Sequence, residues 1–325
     1  MLTIKQTLVR SSVLCALVIL FVGVSSPVFG QTDRHRSALA SIEHDKPIVY
    51  KTVGGKELDL IHFKPQNRSE GKTSPWMLFV HGGGWRGGDK YNILNSAFVG
   101  TLKKLTDSGI ACFTIEYRLT RNHSTAFESV VDCKDACRFL LKNASTYHLD
   151  TERYGVWGGS AGGHLSLMTA LGKNADFEGD PALAAFTPKF KCVAAYYPLT
   201  SLVNPEVLKG SKFEDPSALL HVLDGPFAAK PKLARLLSPV EYLSPKSPPI
   251  LLLHGNNDST LSVKNSLYMK EVAIEKGADV ELLIVKNAGH SFKGKGIVPS
   301  IDEINEASAE YIGSRLNPQT QTKEH

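Results

Sequence analysis

The chain has 325 residues, 42% hydrophobic and 21% charged, with a formal net charge of +5. That is enough for one large globular domain or two modest ones. Lys and Arg are scattered among Asp and Glu, which excludes a nucleic-acid-binding patch, and no Cys/His spacing resembles a zinc site.

The N-terminus carries Lys5 and Arg10, an apolar run over residues 13–24, and then Val28-Phe29-Gly30 before Gln31. This pattern predicts a signal peptide over 1–30 and export to the periplasm or the medium; the competing reading is an uncleaved membrane anchor, for which the apolar run is short. Cys15 follows Leu14, which does not suit a lipoprotein processing site. Residues 31–46 are polar and read as a loose leader. Residues 48–53 and 58–63 alternate around Gly54-Gly55 and predict an antiparallel hairpin. Strands then follow near 76–80, 111–117, 153–157, 191–197, 250–253 and 280–285. Helices are predicted around 91–107, 126–147, 160–172, 263–276 and 301–316. This alternation predicts an α/β domain over 31–325, a mostly parallel twisted sheet with helices on both faces. Residues 199–247 break the rhythm with helix-like pieces and no strand signal, and predict a cap-like insertion. Of the cysteines after the leader, Cys112 and Cys192 fall in predicted buried strands, and Cys133 and Cys137 lie four apart on a predicted helix. They read as small core residues rather than a disulfide framework.

Chemistry concentrates at the ends of the predicted strands. Ser160 sits in Gly158-Gly159-Ser160-Ala161-Gly162, between a strand and a helix; so tight a turn strains the serine backbone, projects its hydroxyl and demands small neighbours. His81-Gly82-Gly83-Gly84-Trp85 follows the strand at 76–80, and its glycines leave backbone N–H groups unshielded. It contains neither G-x-x-x-x-G-K-[ST] nor G-x-G-x-x-G opening a helix, so a phosphate loop is disfavoured. Asp258, in His254-Gly255-x-x-Asp258, and His290, after Gly289, each lie just past a strand. That edge is where open α/β sheets build sites. The order Ser160, Asp258, His290 differs from that of chymotrypsin-like and subtilisin-like enzymes. His81, His164 and His254 read as structural, Asp132 as a tether, and Glu116 as a residue at a strand end.

With these motifs together, the chain resembles serine esterases of the α/β-hydrolase fold. It is closest to the bacterial feruloyl/acetyl-xylan esterase (BD-FAE-like) and hormone-sensitive-lipase-like branches. The likeness runs from about residue 50 to residue 315 and rests on residues 81–85, Glu116-Tyr117-Arg118-Leu119, residues 156–164, the His254-Gly255-x-x-Asp258 motif and Gly289-His290. Gly159 stands where lipase-like relatives usually carry Asp, and His164 where they often carry Asn. These departures, with the acid motif, point to the feruloyl/acetyl-xylan branch. The resemblance implies a carboxylesterase acting through an acyl-enzyme, with Ser160 as nucleophile, His290 as base and Asp258 as its orienting acid. It also implies an oxyanion hole from the N–H groups of Gly83, Gly84 and Ala161, with no metal or organic cofactor. Trp85 and Tyr117 are the candidate substrate-binding residues. The partner is then a small-molecule or polysaccharide-linked ester, with no stable membrane insertion after leader removal. Three alternatives stay open: a prolyl-oligopeptidase-like peptidase, an arylformamidase, and a binding protein on an inactive hydrolase scaffold.

Overall fold

A computed structural model describes residues 33–66, 71–121 and 123–317; the signal-peptide reading of 1–30 lies outside the described residues. Eight strands form one sheet: β1 (Ile48–Val53), β2 (Lys56–Phe63), β3 (Ser74–Val80), β4 (Ala111–Ile115), β5 (Leu149–Gly159), β6 (Cys192–Tyr196), β7 (Ile250–Gly255) and β8 (Val280–Val285). Their order is β1-β2-β4-β3-β5-β6-β7-β8. β2 runs antiparallel to β1 and β4, and β3 to β8 are parallel. Gly54 and Gly55 make the β1–β2 turn with φ of 57° and 76°, values glycine adopts without steric cost.

The helices are α1 (Asp33–Ala40), α2 (Ser96–Asp107), α3 (Ala126–Lys142), α4 (Ala144–Tyr147), α5 (Ala161–Leu171), α6 (Leu220–Leu223), α7 (Pro231–Leu236), α8 (Lys264–Lys276) and α9 (Ile301–Leu316). The central strands are largely apolar and buried because both faces are covered, and successive side chains alternate between the two faces. Trp76, Leu78 and Val80 join one core with residues of α3, α5 and α8, while Met77 and Phe79 join the other with residues of α2 and α9. Burying a side chain of this size stabilises the fold by about 1.5–3 kcal/mol. The four cysteines of the described residues are buried and unpaired.

Three expectations need correction. Residues 31–46 are not all loose leader: α1 forms, Ile42 enters the core, and Glu43 and Asp45 exchange backbone hydrogen bonds with Lys64 and His62. The helix expected over 91–107 breaks at Asn95, whose extended backbone (φ −67°, ψ 153°) separates a 3₁₀ turn at Lys90–Leu94 from α2. The helix expected over 126–147 breaks at Asn143, whose backbone leaves the helical region (φ −102°, ψ 20°) while its N–H and side-chain amide both donate to the Phe139 carbonyl. Asp132 is a buried tether on α3, bonded to Lys51 and Arg118.

Between β6 and β7 the chain forms α6, α7 and four 3₁₀ turns, with no strand. Val222 and Leu223 of α6 are fully buried. The segment is tied to the rest of the domain through Thr200 to Asn265 (3.0 Å), Asn265 to the Val207 carbonyl (2.9 Å) and Lys212 N–H to the Ser259 carbonyl (2.8 Å).

Candidate active site

β5 ends at Gly159 and α5 begins at Ala161, so the whole reversal of direction falls on Ser160, at φ 59° and ψ −123°. Non-glycine residues rarely adopt such a φ, and the surroundings must over-determine it. Glycines permit that crowding. A Cβ on Gly162 would lie 2.0 Å from the Val80 carbonyl oxygen; one on Gly158 would lie 2.3 Å from the same atom. That neighbour cannot move, because it is strand backbone. Gly162→Ala is therefore expected to cost at least about 3 kcal/mol, the upper end of ordinary overpacking. Gly313→Ala, in α9 with nothing within 4 Å, is the control and is expected to stabilise by up to about 1 kcal/mol through helix propensity. Urea unfolding of both variants checks this; equal midpoints would refute the crowding argument.

β7 and β8 deliver the other two groups to the same sheet edge. His290 Nε2 lies 2.9 Å from Ser160 Oγ, and His290 Nδ1 lies 2.7 Å from Asp258 Oδ2. Asp258 is buried; its other oxygen accepts the backbone N–H groups of Thr260 and Leu261 at 2.8 and 3.0 Å. Burial alone would raise the Asp258 pKa. Hydrogen bonds from His254 and His290, the charge of His290 and the Leu261 N–H outweigh it and hold the carboxyl well below the usual carboxylate range. Of the two histidines, His254 stands 3.5 Å from Oδ2, and its Nε2 is 2.9 Å from the Leu261 carbonyl, so His290 makes the closer contact. An ionised Asp258 can only accept, so the His290 Nδ1 carries a proton and the Nε2 lone pair faces the serine hydroxyl.

The glycine loop lies beside Ser160. A Cβ on Gly82 would meet the Gly159 carbonyl oxygen at 2.7 Å and Ser160 Cβ at 3.3 Å. Gly83 and Gly84 have φ of 120° and 62°. Their N–H groups donate to nothing among the described residues, and Ala161 N–H is at the open amino end of α5, where the helix dipole favours negative charge.

Trp85 and Tyr117 are not where a substrate would reach them. Trp85 is 1% exposed, and its indole N–H donates to His164 Nδ1 at 3.2 Å. Tyr117 is 0% exposed; its ring stacks on His81 at 4.2 Å, and its hydroxyl donates to the His81 carbonyl at 2.8 Å. Both are internal supports of the glycine loop. Aromatic residues flanking a motif read alike in sequence whether they face the pocket or the core. Glu116 turns to Lys90, accepting its backbone N–H at 3.1 Å.

A family match reinforces this geometry: the BD-FAE family model covers residues 59–272. The chain belongs to the BD-FAE family. It is 26% identical over 261 residues to "Esterase LipQ" of Mycobacterium tuberculosis, an alignment covering 80% of this chain and 60% of that protein. To "Esterase LipC" of the same organism it is 26% identical over 277 residues, covering 82% and 63%. The chain thus spans about three-fifths of the length of these curated relatives. Among solved structures, the butyrate-bound thermophilic esterase Est2 of Thermogutta terrifontis superposes with a TM-score of 0.69 at 22% identity, covering 84% of this chain and 95% of that one. This likeness shows a shared α/β-hydrolase fold.

In this BD-FAE chain, His81 and His164 are fully buried. Burial lowers each imidazole from 6.5 to about 4, against the opposing pull of hydrogen bonds to the Gly82 and Leu237 carbonyls. In the unfolded chain both take up protons below about pH 6.5; in the native state they resist until about pH 4. Their contribution to stability is therefore full above pH 6.5 and is lost as pH falls through that window. The decline reaches up to about 1.4 kcal/mol per pH unit for each histidine. Urea unfolding between pH 7.5 and 4.5 measures it. His164→Gln is expected to flatten the slope, and an unchanged slope would exclude His164 as a source.

Tyr197 was not singled out by sequence. It follows β6 with φ 40°, is 2% exposed, and sets its ring edge-on to His290 at 4.7 Å and to Phe292 at 5.1 Å. A Cβ on Gly159 would come within 3.0 Å of its hydroxyl. The only signal in the sequence was position: it follows a strand at the edge where the site forms.

Proposed function

We propose that the protein is a serine carboxylesterase that cleaves short acyl esters through an acyl-enzyme, and that acetyl or feruloyl groups on polysaccharide are its substrates. The observation that carries the esterase reading is the continuous chain of contacts from Asp258 through His290 to Ser160, at 2.7 and 2.9 Å, beside unengaged backbone donors. Ser160 Oγ attacks the ester carbonyl as its proton passes to His290 Nε2. Asp258 stabilises the imidazolium that forms. The N–H groups of Gly83, Gly84 and Ala161 receive the carbonyl oxygen as it becomes an oxyanion. His290 then protonates the leaving alcohol, and water, deprotonated by His290, repeats the attack on the acyl-enzyme to release the acid.

Names borne by relatives support the reaction class: LipQ and LipC are named esterases, and another relative from Mycobacterium tuberculosis is named a probable carboxylic ester hydrolase. One Est2 structure is described as phosphorylated by paraoxon. The polysaccharide part rests on the family resemblance and on the export that the leader pattern over 1–30 predicts. Within this reading, residues 199–247 form one wall of the substrate site.

The test is treatment with paraoxon followed by peptide mass mapping, alongside hydrolysis of short-chain p-nitrophenyl esters, acetylated xylan, feruloyl esters, long-chain lipids and aminoacyl amides. One phosphoryl group per chain on Ser160 is expected, with turnover of the short esters. Failure to label Ser160 would defeat the reading; faster turnover of amides would transfer it to the peptidase class. N-terminal sequencing of the protein recovered outside the cytoplasm, beginning near Gln31, tests export.

A further inference from the structure

Tyr197 is tied to all three parts of the site. The peptide joining Tyr196 to Tyr197 accepts the Ser160 N–H on the Tyr196 carbonyl at 2.9 Å and donates the Tyr197 N–H to the Leu253 carbonyl at 2.7 Å. One rigid plane is thus pinned on one side to the nucleophile turn and on the other to β7, the strand that leads to Asp258. From that anchor the side chain reaches the third part. Its ring lies 4.7 Å from the His290 ring, with the planes inclined at 60°, and 5.1 Å from the ring of Phe292. A Cβ on Gly159 would lie 3.1 Å from its Cε2, so the same ring also runs alongside the serine turn.

The loop that carries His290 is built on that ring. Ser291 and Phe292 have φ of 60° and 54°, values that non-glycine residues keep only where their surroundings over-determine them. Phe292 is buried against the rings of Tyr196 and Tyr197. In the free enzyme the imidazole of His290 is also held at both nitrogens, by Asp258 and by Ser160. These two hydrogen bonds do not last equally. Once Ser160 Oγ carries the acyl group it has no proton to give, and of the two bonds only that to Asp258 remains. In that state Nε2 must take a proton from water. The water oxygen bonds to the acyl carbon, the bond from that carbon to Oγ breaks, and Oγ recovers the proton from His290 as the acid leaves.

We infer that Tyr197 is a positioning residue for His290 in this second half of the reaction: its ring keeps the imidazole aimed at the acyl-enzyme while the serine cannot. This rests on the hydrolase reading above. The first half, in which the Ser160 hydroxyl still holds Nε2, depends on the ring far less. Loss of the ring is expected to slow deacylation by about three- to tenfold, the worth of one aromatic pair, and to change acylation by less than about twofold.

The experiment compares wild type, Tyr197→Phe, Tyr197→Leu and Tyr197→Met. The rate of phosphorylation by paraoxon reports the first half, because its p-nitrophenolate departs without a proton, and the end point counts competent sites in each variant. Decay of the acyl-enzyme formed with a short-chain p-nitrophenyl ester, followed by intact mass, reports the second half. The two ringless variants, Tyr197→Leu and Tyr197→Met, are expected to be phosphorylated at the wild-type rate and to lose their acyl group about three- to tenfold more slowly. Where deacylation limits turnover, kcat and KM for the ester then fall together. Methionine, unbranched and flexible, fits an irregular gap, so one ringless variant remains if leucine prevents folding. Tyr197→Phe keeps the ring and should deacylate like wild type. A general loosening of the fold would slow both halves alike, and that result overturns the inference. So does slowing in Tyr197→Phe equal to that of the ringless variants. If wild type is not labelled at Ser160 by paraoxon, the hydrolase reading falls and takes this inference with it. Labelling, with deacylation unaltered in the ringless variants, removes this inference alone.

Discussion

Ser160→Ala is expected to lower kcat for a short-chain ester by roughly a million-fold, about the loss found when the nucleophile of such a set is removed. The residual rate comes from binding and the backbone donors, which the substitution leaves in place. The fold should tolerate the change. Alanine must still adopt φ near 59°, a constraint serine already meets, and the group removed is a partly exposed hydroxyl whose bond is to His290. The Tm should thus move by only a few degrees while activity disappears and paraoxon no longer modifies the chain. Stopped assays at high enzyme concentration measure the residue of activity. A variant retaining a tenth of the wild-type rate would remove Ser160 from the chemistry.

The second large effect is at Asp258. Asp258→Asn keeps shape and volume and changes the direction of one hydrogen bond. The backbone N–H groups of Thr260 and Leu261 hold the amide oxygen in the place of Oδ1. The amide nitrogen is then left facing His290 Nδ1, at the position where Oδ2 now stands 2.7 Å away. An amide nitrogen donates, so Nδ1 must accept, the proton moves to Nε2, and the base no longer has a lone pair for Ser160. The expected fall in kcat is about ten-thousand-fold, with KM little altered. Stability should change in a second, separable way. Because the Asp258 pKa is lowered in the native state, its carboxylate stabilises the fold above the unfolded value near 3.8 and stops doing so as pH falls through the native one. The asparagine variant should lose that part of the acid dependence. Near-normal turnover in Asp258→Asn would show that another group orients His290.

Much of this site was legible before any coordinates. The strands at 76–80 and 250–253 were readable because a parallel strand covered on both faces is a continuous apolar run, and β8, at the edge of the sheet, because its apolar run is broken only by the exposed Glu281. The turn at Ser160 was readable because only glycine fits the crowding around it, and that requirement is written in residues 158, 162 and 163. The order Ser160, Asp258, His290 needed only the carboxyl ends of those strands. Other features left no local trace. α1 is a short polar helix docked by contacts made elsewhere. The breaks at Asn95 and Asn143 are turns of the backbone at single asparagines inside an otherwise continuous helical pattern. Trp85 and Tyr117 have the composition of a pocket lining and the burial of a scaffold.

Local sequence by itself determined where strands, tight turns and reactive side chains lie, since each depends on steric and periodic rules acting over a few residues. Tertiary structure alone decided which groups meet. Tyr197 against His290, and His221 on the carbonyl of Gly84 across 137 residues, are pairings made by packing and hydrogen bonding between distant segments. No pattern within either segment encodes them, because the partner that gives each its role lies in another part of the chain.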